Sequence, residues 1–133
     1  MTLTSTEPGF VPPKHAGLRH LAEAAGYSLG GFKRLVREPA FRHEILFGGL
    51  LLGLLAVLDA PLAAFLVQGG LLLMLAAFEA VNTAIELIVD RVSPEWSAFA
   101  KNAKDLGSLS VACAILANLG PLAYVAASLL GYS

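Results

Sequence analysis

From about residue 40 onward, long apolar stretches alternate with short polar ones. Residues 45–58 are unbroken apolar sequence apart from three glycines, Gly48, Gly49 and Gly53. A helix needs about 20 residues to cross a bilayer, and extending this stretch back through Ala40 and Phe41 reaches that length. Asp59, Ala60 and Pro61 form a tight connection. Residues 62–78 open a second apolar run, interrupted by Gln68. Residues 106–132 form a third, with Ser108, Ser110 and Asn118 as polar interruptions. The Gly120-Pro121 pair predicts a kink in it. The pattern predicts an all-α membrane protein with spans at about 40–58, 62–90 and 104–131.

Upstream, the period changes. Leu18, Leu21, Ala22, Ala25, Leu29, Phe32 and Val36 fall in one narrow sector at about 100° per residue, while Arg19, His20, Glu23, Lys33, Arg34 and Arg37 fill the rest of the circumference. This predicts an amphipathic helix over about 15–37, lying on the inner membrane face or packed on a protein partner. Gly26, Gly30 and Gly31 are candidate breaks. Pro39 suits the first turn of the following span, where its missing N–H costs nothing. Residues 1–13, with three prolines and Gly9, read as a disordered tail, leaving residues 14–133 as one domain.

Composition agrees. Of 133 residues, 56% are hydrophobic and 14% charged, with a mean hydropathy of +0.70; an ordinary soluble domain carries about 25% charged residues. This excludes a disordered chain and leaves too little polar cover for a small soluble one. A single cysteine, Cys113, excludes a disulfide framework and a cysteine-based zinc site within one chain. The net charge of −1 carries no nucleic-acid signal, and no such partner is expected. Placement says more. Every Lys and Arg precedes the first apolar run, with Arg42 near the interface at its start, or lies in the 91–104 connection, and none follows residue 104. By the positive-inside rule, the N-terminus and second connection are expected in the cytoplasm, with the Asp59 turn and C-terminus opposite. The first span starts too late, without a short basic segment at Met1, to resemble a cleaved signal.

The segment 79–91 continues the second span with no break signal. On a helical wheel Glu79, Asn82, Glu86 and Asp90 share one stripe, and Val81, Ile85, Leu87, Ile88 and Val89 cover the other faces. A carboxylate within a spanning helix costs about 2.5–3.5 kcal/mol on insertion scales. Such groups face a protein interior or a wet cavity unless they lie in the headgroup zone, a reading that suits Asp90 beside Arg91 better than Glu79. Asn82 suits a polar site or a contact between helices. Ser93-Pro94 suits a turn or helix start, and Trp96 an interface. Lys104 and Asp105 follow, just before the uncharged run. Lys104 suits a positive-inside anchor as well as a site. Acids with a lysine at one membrane face allow Mg²⁺-polyphosphate chemistry, or proton and cation transport. No phosphate-binding glycine loop or soluble-kinase signature is present, so these residues alone leave kinase and transporter open.

Four segments decide between them by resemblance: 24–28 (AAGYS), 38–44 (EPAFRHE), 79–91 (EAVNTAIELIVDR) and 103–108 (AKDLGS). In this order and spacing the chain resembles the bacterial integral-membrane diacylglycerol kinases and their undecaprenol kinase relatives, over roughly residues 18–131. The resemblance implies an ATP-dependent lipid kinase in the bacterial inner membrane. It implies a homotrimer with active sites shared between chains, a membrane lipid such as diacylglycerol as acceptor, and Mg²⁺ with ATP. It places Glu79 as catalytic base with Asn82 beside it, and Glu38 and Glu86 as metal ligands. Tyr27, Glu95, Lys104 and Asp105 fall at nucleotide contacts. Ser28, Phe41, Arg42, Glu44 and Ser108, with Glu79, fall on the lipid side. The family's surface-helix Arg aligns with His20, next to Arg19. Pro94 is more like the undecaprenol branch, whereas Gly107-Ser108 and Arg91 are more like the diacylglycerol branch. Diacylglycerol is the expected acceptor, with undecaprenol, or a transporter or pseudo-kinase on the same spans, as alternatives.

Overall fold

The computed structural model describes residues 17–131; the expected tail at 1–13 lies outside them. The described residues form five helices and no strand: α1 (Leu18–Leu35), α2 (Pro39–Val57), α3 (Leu62–Val92), α4 (Ala98–Asn118) and α5 (Gly120–Leu129). Three segments are long and apolar enough to cross a membrane: Pro39–Val57, Leu62–Val92 and Ala98–Leu129.

Helix α1 runs through Gly26, Gly30 and Gly31 without a break. Host-scale costs of about 1 kcal/mol per glycine do not interrupt it. Its C-terminal end is tied down. Leu35 is buried, and the Phe32 ring meets Phe41 edge-on at 6.4 Å between centroids. Arg34 pairs with Glu38 at 2.6 Å. Glu38 is extended (ψ 128°), as the residue before proline must be, and Pro39 opens α2 as its pattern predicts.

The reversal between α2 and α3 is a Schellman turn. The Ala60 N–H donates to the Leu55 carbonyl at 3.0 Å, and the Asp59 N–H to Ala56 at 3.2 Å. Asp59 takes the left-handed conformation this requires, with φ 49°, which Asp tolerates better than most residues. Pro61 then forbids continuation of α2.

The 31-residue α3 is about 46 Å long, well over the roughly 30 Å hydrocarbon core of a bilayer. One end therefore projects beyond the lipid or the helix tilts. At its C-terminal end Ser93 and Ser97 approach with their hydroxyls 2.9 Å apart, and Ser97 caps α4 by accepting from the Ala100 N–H at 3.1 Å. Helix α4 thus begins at Ala98, earlier than the expected 104. Hydrophobicity marks where lipid begins, whereas the cap marks where the helix begins. Helices α4 and α5 meet at Leu119, where Gly120-Pro121 predicted a kink; the Ala123 N–H still donates to the Leu119 carbonyl at 3.0 Å.

The core lies chiefly between α3 and α4. Leu75, Val111 and Ala114 form its centre, with Phe47 of α2 and Ile115 packed against them. Along α4 the buried positions are Ala100, Gly107, Val111, Ala114 and Asn118. They are mostly small, which lets two backbones approach in a medium offering no hydrophobic gain for helix association. The outer faces are apolar and exposed, as at Leu46, Leu50, Leu66, Leu73 and Leu116.

Deep in this bundle sit two polar residues that look in sequence like mere interruptions. Gln68 and Asn118 are both 0% exposed. The Gln68 Nε2 donates to the Asn118 Oδ1 at 2.7 Å. The Asn118 Nδ2 donates to the Ala114 carbonyl at 2.9 Å and the Leu71 carbonyl at 3.1 Å. Interhelical bonds of this kind contribute about 0.6 kcal/mol on average and up to about 1.7. Asn118→Leu, which strands Gln68, is expected to cost about 1–2 kcal/mol, and Gln68→Leu with Asn118→Leu to recover most of it. Unfolding in detergent measures both.

Candidate active site

Helices α2, α3 and α4 enclose a cavity of about 660 Å³. Its polar wall is built from Glu38 at the N-cap of α2, His43 and Glu44 on α2, Glu79, Asn82 and Glu86 on α3, and Ser108 on α4. Phe47, Val111 and Ile115 form its apolar side. The α3 residues share one face because positions i, i+3 and i+7 do, and Glu79 and Glu86 are about 10 Å apart along the axis.

Three of these side chains are strongly buried: Glu79 is 4% exposed, Asn82 8% and Glu44 9%. The Asn82 Nδ2 donates to the Glu86 Oε1 at 3.2 Å. Its Oδ1 is buried and has no partner among the described residues, and the same holds for the Glu44 Oε2. Packed cores avoid such groups, since each costs about 1–3 kcal/mol. Two of them lining one cavity are what a polar ligand would satisfy.

Asn82 fits where it does because of a glycine. A Cβ on Gly107 would collide with the Asn82 Oδ1 and lie 3.4 Å from its Cγ. Gly107 is buried on α4, so the missing side chain is what lets α4 close over Asn82. Reading the sequence for polar and charged motifs passed over this role, and also over His43 and Thr83 in the cavity wall. Gly107 signals itself only as a small residue at a buried, close-packed position.

The cavity gathers Glu38, Glu44, Glu79, Asn82, Glu86 and Ser108 from the expected site residues. Asp90 lies beyond the end of the cavity and pairs with Lys104 at 2.5 Å on the exposed surface. Asp105 pairs with Lys101, also exposed. Phe41 packs against Phe32 instead of lining this cavity. Tyr27, Ser28, Arg42 and Glu95 are exposed, as are His20 and Arg19, which pairs with Glu23 at 3.4 Å. Among the described residues no three His, Cys, Asp or Glu side chains converge as a ready-made metal site. Glu38 and Glu86 nonetheless line the same cavity, and hard oxygen donors of this kind suit Mg²⁺, which takes only one or two carboxylates beside phosphates and water.

The family profile for prokaryotic diacylglycerol kinase matches residues 26–126, a segment that contains the whole cavity. The chain belongs to the prokaryotic diacylglycerol kinase family. It is 51% identical over 112 residues to a diacylglycerol kinase of Sinorhizobium, covering 84% of this chain and 82% of that one. It is 36% identical over 103 residues to the diacylglycerol kinase of Haemophilus influenzae, covering 77% and 87%. The Escherichia coli K12 diacylglycerol kinase is also 36% identical, over 104 residues, covering 75% and 83%. The resemblance carried by the four sequence segments is thereby borne out, and the chain is a membrane kinase. Arg19 and His20 fall outside the matched segment.

The notch at Gly107 yields a test. Gly107→Ala pushes Asn82 off its position, and a displacement of about 1 Å can cost roughly a hundredfold in rate. Kinase turnover is expected to fall on that scale. Gly53→Ala, whose Cβ meets nothing within 4 Å, is expected to stay near wild type in the same assay.

Proposed function

We propose that this protein transfers the γ-phosphoryl group of ATP to the hydroxyl of diacylglycerol, giving phosphatidic acid, at the cytoplasmic face of the bacterial inner membrane. The observation that carries this reading is the single face of α3 on which buried Glu79 is followed by Asn82 and the less buried Glu86. Counted from Leu62, Glu79 lies about 26 Å along the helix and Glu86 about 36 Å. Across a hydrocarbon core of roughly 30 Å, the first falls just inside the far boundary and the second just outside. A lipid hydroxyl resides at the former depth and a soluble nucleotide at the latter.

Glu79 accepts the proton of the acceptor hydroxyl as its oxygen attacks the γ-phosphorus. The bond to the bridging oxygen breaks in line, and ADP leaves. The protein's task is mainly to position two reactants and offset charge. Asn82 anchors the arrangement by bonding Glu86. Glu38 and Glu86 would hold Mg²⁺ at the phosphates, and the ion, when bound, neutralises charge developing on the transferred group. Lys104 exchanges Asp90 for a phosphate oxygen. Its ion pair is solvent-exposed, and exposed pairs are easily given up. Ser28, Phe41, Arg42, Glu44 and Ser108 contact the lipid.

Tyr27, Glu95, Asp105 and Arg19 or His20 serve the nucleotide. These residues are exposed and do not line the cavity, which supports a homotrimer in which neighbouring chains complete each site. The distribution of Lys and Arg supports a cytoplasmic N-terminus and 93–97 connection, with α1 lying on the inner membrane face.

Purified protein in mixed micelles with Mg-ATP is expected to phosphorylate diacylglycerol far better than undecaprenol. Labelled phosphate appearing solely on undecaprenol overturns the assignment of acceptor. Glu79→Gln is expected to lower kcat by about 10²–10⁴-fold with the KM for ATP little changed. Lys104→Ala is expected to raise the KM for ATP, and an unchanged value would remove Lys104 from the nucleotide site.

A further inference from the structure

A second hollow, of about 360 Å³, lies between α2 and α3. Its lining includes Phe41, Gly48, Gly49, Leu72 and Leu75, and a single polar side chain, Glu44. Glu44 also lines the catalytic cavity, so the two spaces meet at this residue. One has a polar wall that carries Glu79. The other is hydrocarbon-lined. The Glu44 Oε2 stands at the junction, buried and without a partner among the described residues.

We infer that the α2–α3 groove receives one fatty-acyl chain of the glycerolipid acceptor, and that Gly48 and Gly49 set the chain it accepts. The inference rests on the lipid-kinase reading and adds to it the determinant of acyl selectivity. A molecule with a polar head and an attached hydrocarbon tail matches the order of surfaces: Glu79, then Glu44, then the groove. Its glycerol portion completes Glu44, whether a hydroxyl donates to the carboxylate or an ester carbonyl accepts from the acid. An apolar helix of a second copy seated in the groove would leave Oε2 without that bond.

The two glycines contribute differently. A Cβ on Gly48 would lie 2.9 Å from the Leu72 Cδ2, so Gly48 lets α2 approach the Leu72 side chain of α3. A Cβ on Gly49 meets nothing within 4 Å, so Gly49 leaves the hollow open. A chain entering from lipid leaves one apolar medium for another and gains little by desolvation. Shape and van der Waals contact decide which chain fits.

The test compares kcat/KM for dioleoylglycerol with that for dioctanoylglycerol. Gly49→Leu puts a side chain into the groove without meeting a protein atom at its Cβ, so it fills the space while keeping the fold. The long-to-short ratio is expected to fall about tenfold, the lower end of what pocket contacts discriminate. Gly53→Leu, on the same helix and outside the groove, is expected to keep the wild-type ratio. A diacylglycerol with a photoreactive diazirine on its acyl chain is expected to label α2 or α3 peptides around the groove, and Gly49→Leu to abolish that label. An unchanged ratio with unchanged labelling overturns the inference. So does a Gly49→Leu variant that loses its oligomeric cross-links while keeping the ratio, which assigns the groove to a second copy. Wild-type protein that phosphorylates neither lipid, yet is labelled in the groove and loses the label in Gly49→Leu, overturns the kinase reading and upholds the acyl site.

Discussion

A carboxylate is expensive in an apolar medium, and that cost organises this protein. Water is absent from the bilayer core, so every polar group placed there needs a partner supplied by protein or ligand. Glu79 and Glu44 are buried on neighbouring helices, and the surrounding structure makes their positions tenable. A cavity of about 660 Å³ opens between them, Asn82 and Glu86 extend it along α3, and Gly107 lets α4 approach its other side. The site is a consequence of how three apolar helices accommodate four carboxylates.

The same cost explains the contrast between the two polar clusters of the bundle. Gln68 and Asn118 are neutral and fully buried; the Gln68 Oε1 has no partner among the described residues, but the pair bonds across two helices and Asn118 donates to two backbone carbonyls. They act as a fastening. Asn82 and Glu44 each retain an unpartnered buried atom, and they surround a space. Burial alone does not separate a structural polar pair from a ligand site. The cavity does: Asn82 and Glu44 line it, whereas Gln68 and Asn118 bond to each other across the helix pair.

Much of this is legible in the sequence. Fourteen per cent charge, confined to a few stretches, marks the spans, and Glu79, Asn82 and Glu86 at i, i+3 and i+7 of α3 mark the site. Pro39, Asp59-Ala60-Pro61 and Gly120-Pro121 mark helix ends through backbone restrictions that are local. Tertiary neighbours are harder to read. Lys104 and Asp105 are adjacent, yet one faces Asp90 on α3 and the other Lys101 on its own helix, because consecutive helical residues diverge by about 100°. Asp90 shares the stripe of Glu79 on a wheel but lies beyond the cavity's end, a matter of axial height that a wheel discards. Gly107 has no side chain to advertise its contact with Asn82. The start of α4 is set by a serine cap, whereas a hydropathy profile detects the later onset of apolar residues.

The α3–α4 hairpin is pinned twice. Gln68 meets Asn118 near one end, and Asn82 fits the Gly107 notch about 21 Å further along α3. Two pins on a rigid pair fix both its sliding and its tilt, since slipping by one turn would undo each at once. Among the described residues helix α2 has no such polar fastening to either partner: Phe47 packs on the core, the Asp59 turn joins it to α3 at one end, and Phe41 and Glu38 tether it to α1 at the other. The cavity wall built on α3 and α4 is thus mounted on a stiff frame, and α2 is its gatepost, the wall whose polar and aromatic ties lie only at its two ends.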